Sequence, residues 1–148
     1  MACPFFMPDV RCDDILWAHP ARLPLGHGYS GRCAAPGHEG TQPTDAQLKD
    51  NCNLGYARSC PRLPAERAAD AVRYIVSLEG DERIVITYIC ERDHAPVEHG
   101  SAEYDCVARS FRVPHADPRI HRQLECYLAS YLLRRPSARA AAATTTQP

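Results

Sequence analysis

The sequence lacks the features that mark several common classes of protein. No apolar run approaches the length of a membrane-spanning helix, and the first ten residues lack the basic start and apolar stretch of a signal peptide. Neither sign of charge dominates, since 17 lysines and arginines stand against 18 aspartates and glutamates. We therefore expect a cytoplasmic protein that binds neither a membrane nor nucleic acid.

Motifs for catalysis are also absent. The sequence contains no glycine-rich phosphate loop, no His-Glu-x-x-His and no nucleophile elbow. Lys49 is the single lysine, and the arginines that make up the other basic residues are scattered rather than clustered. The sequence thus favours no enzyme class, and we expect a protein that is not an enzyme.

Cysteine, by contrast, is abundant, with eight in 148 residues. A chain of this length buries a core without cross-links. Because cytosolic thiols stay reduced, these cysteines indicate metal binding before disulfides. In an exported protein the same even number would instead predict four disulfides.

Residues 1–64 are predicted to form a Cys-rich, loop-rich, metal-binding region. Six prolines and five glycines in its first 43 residues are expected to interrupt any helix or strand. One short helix is expected at about residues 45–53, where Thr44 and Gln47 can form a capping box. Such an irregular segment, which also carries aromatic residues, needs something other than secondary structure to order it.

Residues 65–135 are predicted to form a three-stranded antiparallel β-meander packed by a C-terminal amphipathic helix, an α+β fold. The expected strands are 71–78, 83–91 and 102–113. The helix is expected to begin at the N-cap Asp117 and to end before Pro136. Residues 136–148 are expected to form a disordered tail, and the whole chain one compact domain.

Four cysteines form the predicted metal site: Cys3, Cys33, Cys52 and Cys60. All four lie in predicted turns or at element ends, in the half of the chain that lacks a core of its own. Ordering that backbone costs about 1–2 kcal/mol per residue, and a thiolate-bound structural metal supplies on the order of 10–16 kcal/mol. A metal centre held by these cysteines would therefore organise the N-terminal half.

The spacing of these cysteines favours an iron–sulfur cluster over zinc. Structural zinc sites commonly pair cysteines two to four residues apart, whereas seven residues separate the closest pair, Cys52 and Cys60. Proline follows both Cys3 and Cys60, as it follows the last cysteine of bacterial ferredoxin motifs. We therefore expect a [4Fe–4S] cluster, with zinc as the alternative.

Other assignments of the ligands stay open. Cys12, His27 or His38 could replace one cysteine, and a set of three thiolates and one imidazole would favour zinc. The four cysteines could also be ordinary free thiols, as we expect for Cys90 and Cys106 in the predicted strands.

Three functions are compatible with these features. The first is a small [4Fe–4S] protein for electron transfer or redox sensing, with a redox or other protein partner. The second is a protein-interaction domain in which zinc is structural. The third is an enzyme that uses an exposed thiol, Cys126 or Cys12, as its nucleophile; it is the weakest, because no histidine is placed by the sequence to activate either thiol.

Overall fold

The computed structural model describes residues 1–56 and 59–135, and these form two antiparallel β-sheets with two helices. The smaller sheet pairs β1 (Phe6–Arg11) with β2 (Tyr29–Cys33). The larger sheet has four strands in the order β3–β4–β5–β6. Their bounds are Ala71–Glu79, Arg83–Arg92, Ala95–Asp105 and Ser110–Phe111.

The predicted architecture, one three-stranded meander packed by a helix, is therefore wrong, because the larger sheet has four strands and a second, two-stranded sheet is present. Residues 95–101 lie outside the expected strands and yet form most of β5. They pair with β4 although most of their side chains are exposed, so the sequence shows no apolar alternation there. The predicted strand 102–113 is interrupted after Asp105. There the Asp105 carboxylate accepts the backbone N–H groups of Val107 and Ala108, at 2.9 and 2.8 Å, and turns the chain into β6.

The smaller sheet also corrects a prediction, since no strand was expected in this proline- and glycine-rich segment. Pro8 lies opposite Gly31, and the register shifts between Pro8 and Val10. Proline has no N–H to donate, and it is tolerated at a bulge or in an edge strand, which both describe its place in this two-stranded sheet. A Cβ at Gly31 would stand 2.2 Å from the Met7 carbonyl oxygen. Glycine therefore lets the two strands approach at this point.

Helix α1 begins as the sequence predicts. The Gln47 N–H donates to Thr44 Oγ1 at 3.2 Å and the Thr44 N–H donates to Gln47 Oε1 at 2.9 Å, which confirms the capping box. The α-helical segment is short, Asp45–Gln47, and continues as a π-helical turn over Leu48–Cys52. This wider turn carries Cys52 at its end.

Helix α2 (Pro118–Arg134) begins at the predicted N-cap. The Asp117 carboxylate accepts the Arg119 N–H at 2.9 Å, and the proline occupies the first helical position. One face of the helix packs on the larger sheet, where the rings of Tyr127 and Tyr74 lie 5.7 Å apart between centroids.

A second face of α2 is polar and equally buried. Gln123 and Ser130 are fully buried, and Cys126 is 4% exposed, so the expected partial exposure of Cys126 is wrong. The Tyr29 hydroxyl of the smaller sheet donates to the Cys126 carbonyl at 2.9 Å and shares a 2.6 Å hydrogen bond with Ser130 Oγ. The helix thus contacts both sheets, and its apolar stripe accounts for only one of these contacts.

The core lies on the inner face of the larger sheet. Its fully buried side chains include Val72, Ile84, Ile86 and Leu124, with Phe6 at 1% exposure. Within the described residues, no helix is long and apolar enough to cross a membrane. The predicted tail, residues 136–148, lies outside the described residues.

Candidate metal centre

The four cysteines predicted as ligands line one pocket. Cys3 precedes β1, Cys33 ends β2, Cys52 ends the π-helical turn, and Cys60 lies in the loop before β3. Cys3 and Cys52 are buried, whereas Cys33 and Cys60 are half-buried. Four separate segments of the chain therefore each contribute one cysteine to the lining of the same pocket.

Backbone hydrogen bonds hold these segments together. The Cys3 N–H donates to the Cys52 carbonyl at 3.1 Å, and the Ala34 N–H donates to the Phe5 carbonyl at 2.7 Å. The first bond joins the two buried cysteines, and the second joins the N-terminal segment to the residue that follows Cys33. The positions of three of the thiols thus depend on the main chain as well as on side-chain packing.

Gln123 of α2 braces the segment that carries Cys3. Its fully buried amide Nε2 donates to the carbonyls of Cys3 and Phe6, both at 2.8 Å. Its Oε1 accepts from the Tyr74 hydroxyl at 2.9 Å. Sequence reasoning missed this residue, although a glutamine beside apolar helix positions was a visible signal that a buried polar partner exists.

Asn53 braces the segment that carries Cys52. Its side chain is 1% exposed, and its Nδ2 donates to the carbonyls of Tyr29 and Leu48, both at 3.0 Å. Its Oδ1 accepts the Tyr29 N–H at 3.0 Å. The sequence predicted Asn53 only as part of a helix stop. In the structure it joins β2, which ends in Cys33, to the turn that ends in Cys52.

The walls of the pocket are largely apolar, and the cavity is small. The remaining lining residues are Phe5, Phe6, Ala35, Pro43, Leu63, Gln47, Asn51 and Arg62. Apart from the thiols, Arg62 is the only ionisable group among the described lining residues. The cavity measures about 20 Å³, which is little more than the space of one water molecule.

Burial controls the protonation of the two inner thiols. It raises the pKa of Cys3 to about 11, against the opposing effect of a backbone N–H from Phe5. Burial also raises the pKa of Cys52, and the neighbouring thiols of Cys3 and Cys60 raise it further. These thiols stay protonated at neutral pH unless a cation binds, so neither is an activated nucleophile and metal binding would release protons.

Backbone donors reach two of the thiols. The Ala35 N–H donates to Cys33 Sγ at 3.4 Å, and a backbone N–H from Phe5 lowers the pKa of Cys3. In both cases the donor lies two residues after the cysteine. Such hydrogen bonds favour the thiolate form, which is the form that binds a metal.

The alternative ligands do not line this pocket. None of Cys12, His27 and His38 is among the described residues that line it. Burial lowers the pKa of His27, and the charges of Arg11 and Arg134 lower it further.

The proposed catalytic thiol at Cys126 is contradicted by its surroundings. The side chain is buried, and burial raises its pKa to about 11. Cys90 is buried on its strand with a pKa raised by burial to about 11, which confirms its interpretation as a small core residue.

Comparison with known proteins assigns this chain to no family. No protein-family model matches the chain, and no curated protein or solved structure is significantly similar to it.

Over residues 1–56 and 59–135, no group of three or more histidine, cysteine, aspartate or glutamate side chains is arranged to hold a metal ion. The four cysteines nevertheless line one pocket, and the proposal for function rests on them.

Proposed function

We propose that Cys3, Cys33, Cys52 and Cys60 hold a [4Fe–4S] cluster and that the protein transfers electrons or senses redox state. The observation that supports this proposal is the set of four thiols, from four segments, that line one pocket. Thiolates are the usual ligands of such clusters, which supply one-electron redox chemistry when bound. The proposal includes a cytoplasmic location, where thiols stay reduced, and a redox protein as partner.

The inner and outer ligands would have different tasks. Cys3 and Cys52 are buried and braced by Gln123 and Asn53, so they would form the fixed side of the site. Cys33 and Cys60 are half-buried at loop ends. Because the cavity measures about 20 Å³, the outer loops would have to move outward to admit a cluster.

The small cavity favours a second candidate, a structural zinc site in a protein-interaction domain. A single zinc ion binds four thiolates at about 2.3 Å, which brings the sulfurs to about 3.8 Å from one another. The apolar and aromatic walls, which exclude water from a redox centre, support the cluster instead.

Metal and sulfide analysis of protein purified without oxygen tests this choice. The cluster predicts about four iron and four acid-labile sulfide per chain, with broad visible absorption. About one zinc per chain without sulfide would support the structural zinc site and contradict the cluster. Folded protein with neither metal would contradict both.

A further inference from the structure

We propose that the positive charge of Arg62 raises the reduction potential of the centre held by the four cysteines. This inference rests on the proposed function, because it concerns the same pocket. A cluster with four thiolate ligands is negatively charged, and reduction adds one more negative charge. A fixed positive charge beside the pocket stabilises the reduced form more than the oxidised form.

The guanidinium of Arg62 is held in place at the pocket. Its Nη1 donates to Thr41 Oγ1 at 2.9 Å, and its Nη2 approaches the Gln42 carbonyl at 3.4 Å. Thr41 in turn accepts the backbone N–H of Cys33 at 2.8 Å through its carbonyl. Arg62 therefore ties the loop that follows Cys33 to the loop that follows Cys60.

Arg62 is the only cation among the described residues that line the pocket, and the other walls are largely apolar. In such surroundings a fixed positive charge favours an added electron in the same pocket. The hydrogen bonds of Arg62 go to neutral oxygens, so among the described residues no carboxylate cancels its charge.

Arg119 is a second arginine near the pocket, and unlike Arg62 it is paired with a carboxylate. Its guanidinium stands 4.9 Å from the centroid of the Phe5 ring. It is paired with the Asp117 carboxylate at 2.7 Å, and that pairing offsets its charge. The geometry thus points to Arg62, rather than Arg119, as the cation that acts on the centre.

Redox titration of the purified protein under anaerobic conditions tests the inference. The midpoint potential is followed by visible absorbance and by electron paramagnetic resonance in wild type, R62Q and R62K. T41A removes the anchor of the guanidinium and keeps its charge, and R22Q removes an exposed arginine that does not line the pocket. We expect a lower potential in R62Q, a potential close to wild type in R62K and R22Q, and a smaller downward shift in T41A.

The outcomes separate this inference from the proposed function. Wild-type protein without iron and sulfide would overturn the proposed function itself. If wild type and R62Q both hold the centre and titrate at the same potential, the function stands and the role of Arg62 is overturned. If R62Q fails to hold the centre, the potential of R62K decides. A potential near that of wild type supports the role of the charge, whereas a clearly different potential, or failure of R62K to hold the centre, overturns it.

Discussion

Replacing Gln123 with leucine should destabilise the fold strongly and loosen the segment that carries Cys3. The glutamine is fully buried and makes three hydrogen bonds, to the carbonyls of Cys3 and Phe6 and from the Tyr74 hydroxyl. A buried hydrogen bond contributes about 1 kcal/mol, so their loss costs about 3 kcal/mol. Leucine has a similar volume, which keeps a cavity term small.

Urea unfolding of metal-free protein measures this cost, with Y74F as the matched control. Y74F removes one of the three bonds and should cost about 1 kcal/mol. In the double variant the two costs should not add, because Tyr74 and Gln123 lose the same bond. A cost below about 1 kcal/mol for Q123L, or simple addition with Y74F, would refute the bracing role of this amide.

Two further substitutions test how the scaffold is built. G31A should lower the free energy of unfolding by about 1–3 kcal/mol, because its Cβ would stand 2.2 Å from the Met7 carbonyl oxygen. G80A is the control. Its Cβ would meet nothing closer than 3.5 Å, so this variant should be nearly neutral. D117A should cost about 1 kcal/mol through loss of the α2 N-cap. Burial raises the pKa of Asp117, but hydrogen bonds from Arg119 lower it more, so the net pKa is depressed. The stability that Asp117 contributes should therefore be complete above about pH 4 and fall as pH drops through the depressed pKa. Equal stability of G31A and G80A, or a wild type-to-D117A difference unchanged between about pH 6 and 3, would contradict these expectations.

Local signals in the sequence predict the helix starts correctly. The capping box of Thr44 and Gln47, and Asp117 followed by proline, depend on residues within three positions of one another. Side-chain chemistry at such short range is the same in the isolated segment and in the folded protein. The strands that begin at Ala71 and Arg83 also occur where apolar alternation predicts them.

Long-range pairing accounts for what the sequence could not predict. Phe6 pairs with Cys33, and Pro8 pairs with Gly31 next to a bulge. Neither fact leaves a local signal. The role of Gln123 likewise depends on carbonyls about 120 positions away in the chain.

The candidate site divides in the same way. Their positions in turns predict the four cysteines as ligands, and in the structure all four line one pocket. The hydrogen bonds of Gln123, Asn53 and Arg62 at this pocket join segments that are distant in the chain, so the sequence does not predict them. That these cysteines hold a metal, and which metal they hold, both remain predictions. Thiol chemistry alone does not distinguish a cluster from zinc.

The most direct test of the four-cysteine centre is iron and sulfide retention in single cysteine-to-serine variants purified without oxygen. The account predicts that each pocket variant loses most of its iron and sulfide. The control variants, at half-buried cysteines that do not line the pocket, should keep the wild-type content. The pocket variants are C3S, C33S, C52S and C60S, and the controls are C12S and C106S. Full retention by any folded pocket variant, or loss in a folded control, would contradict the account.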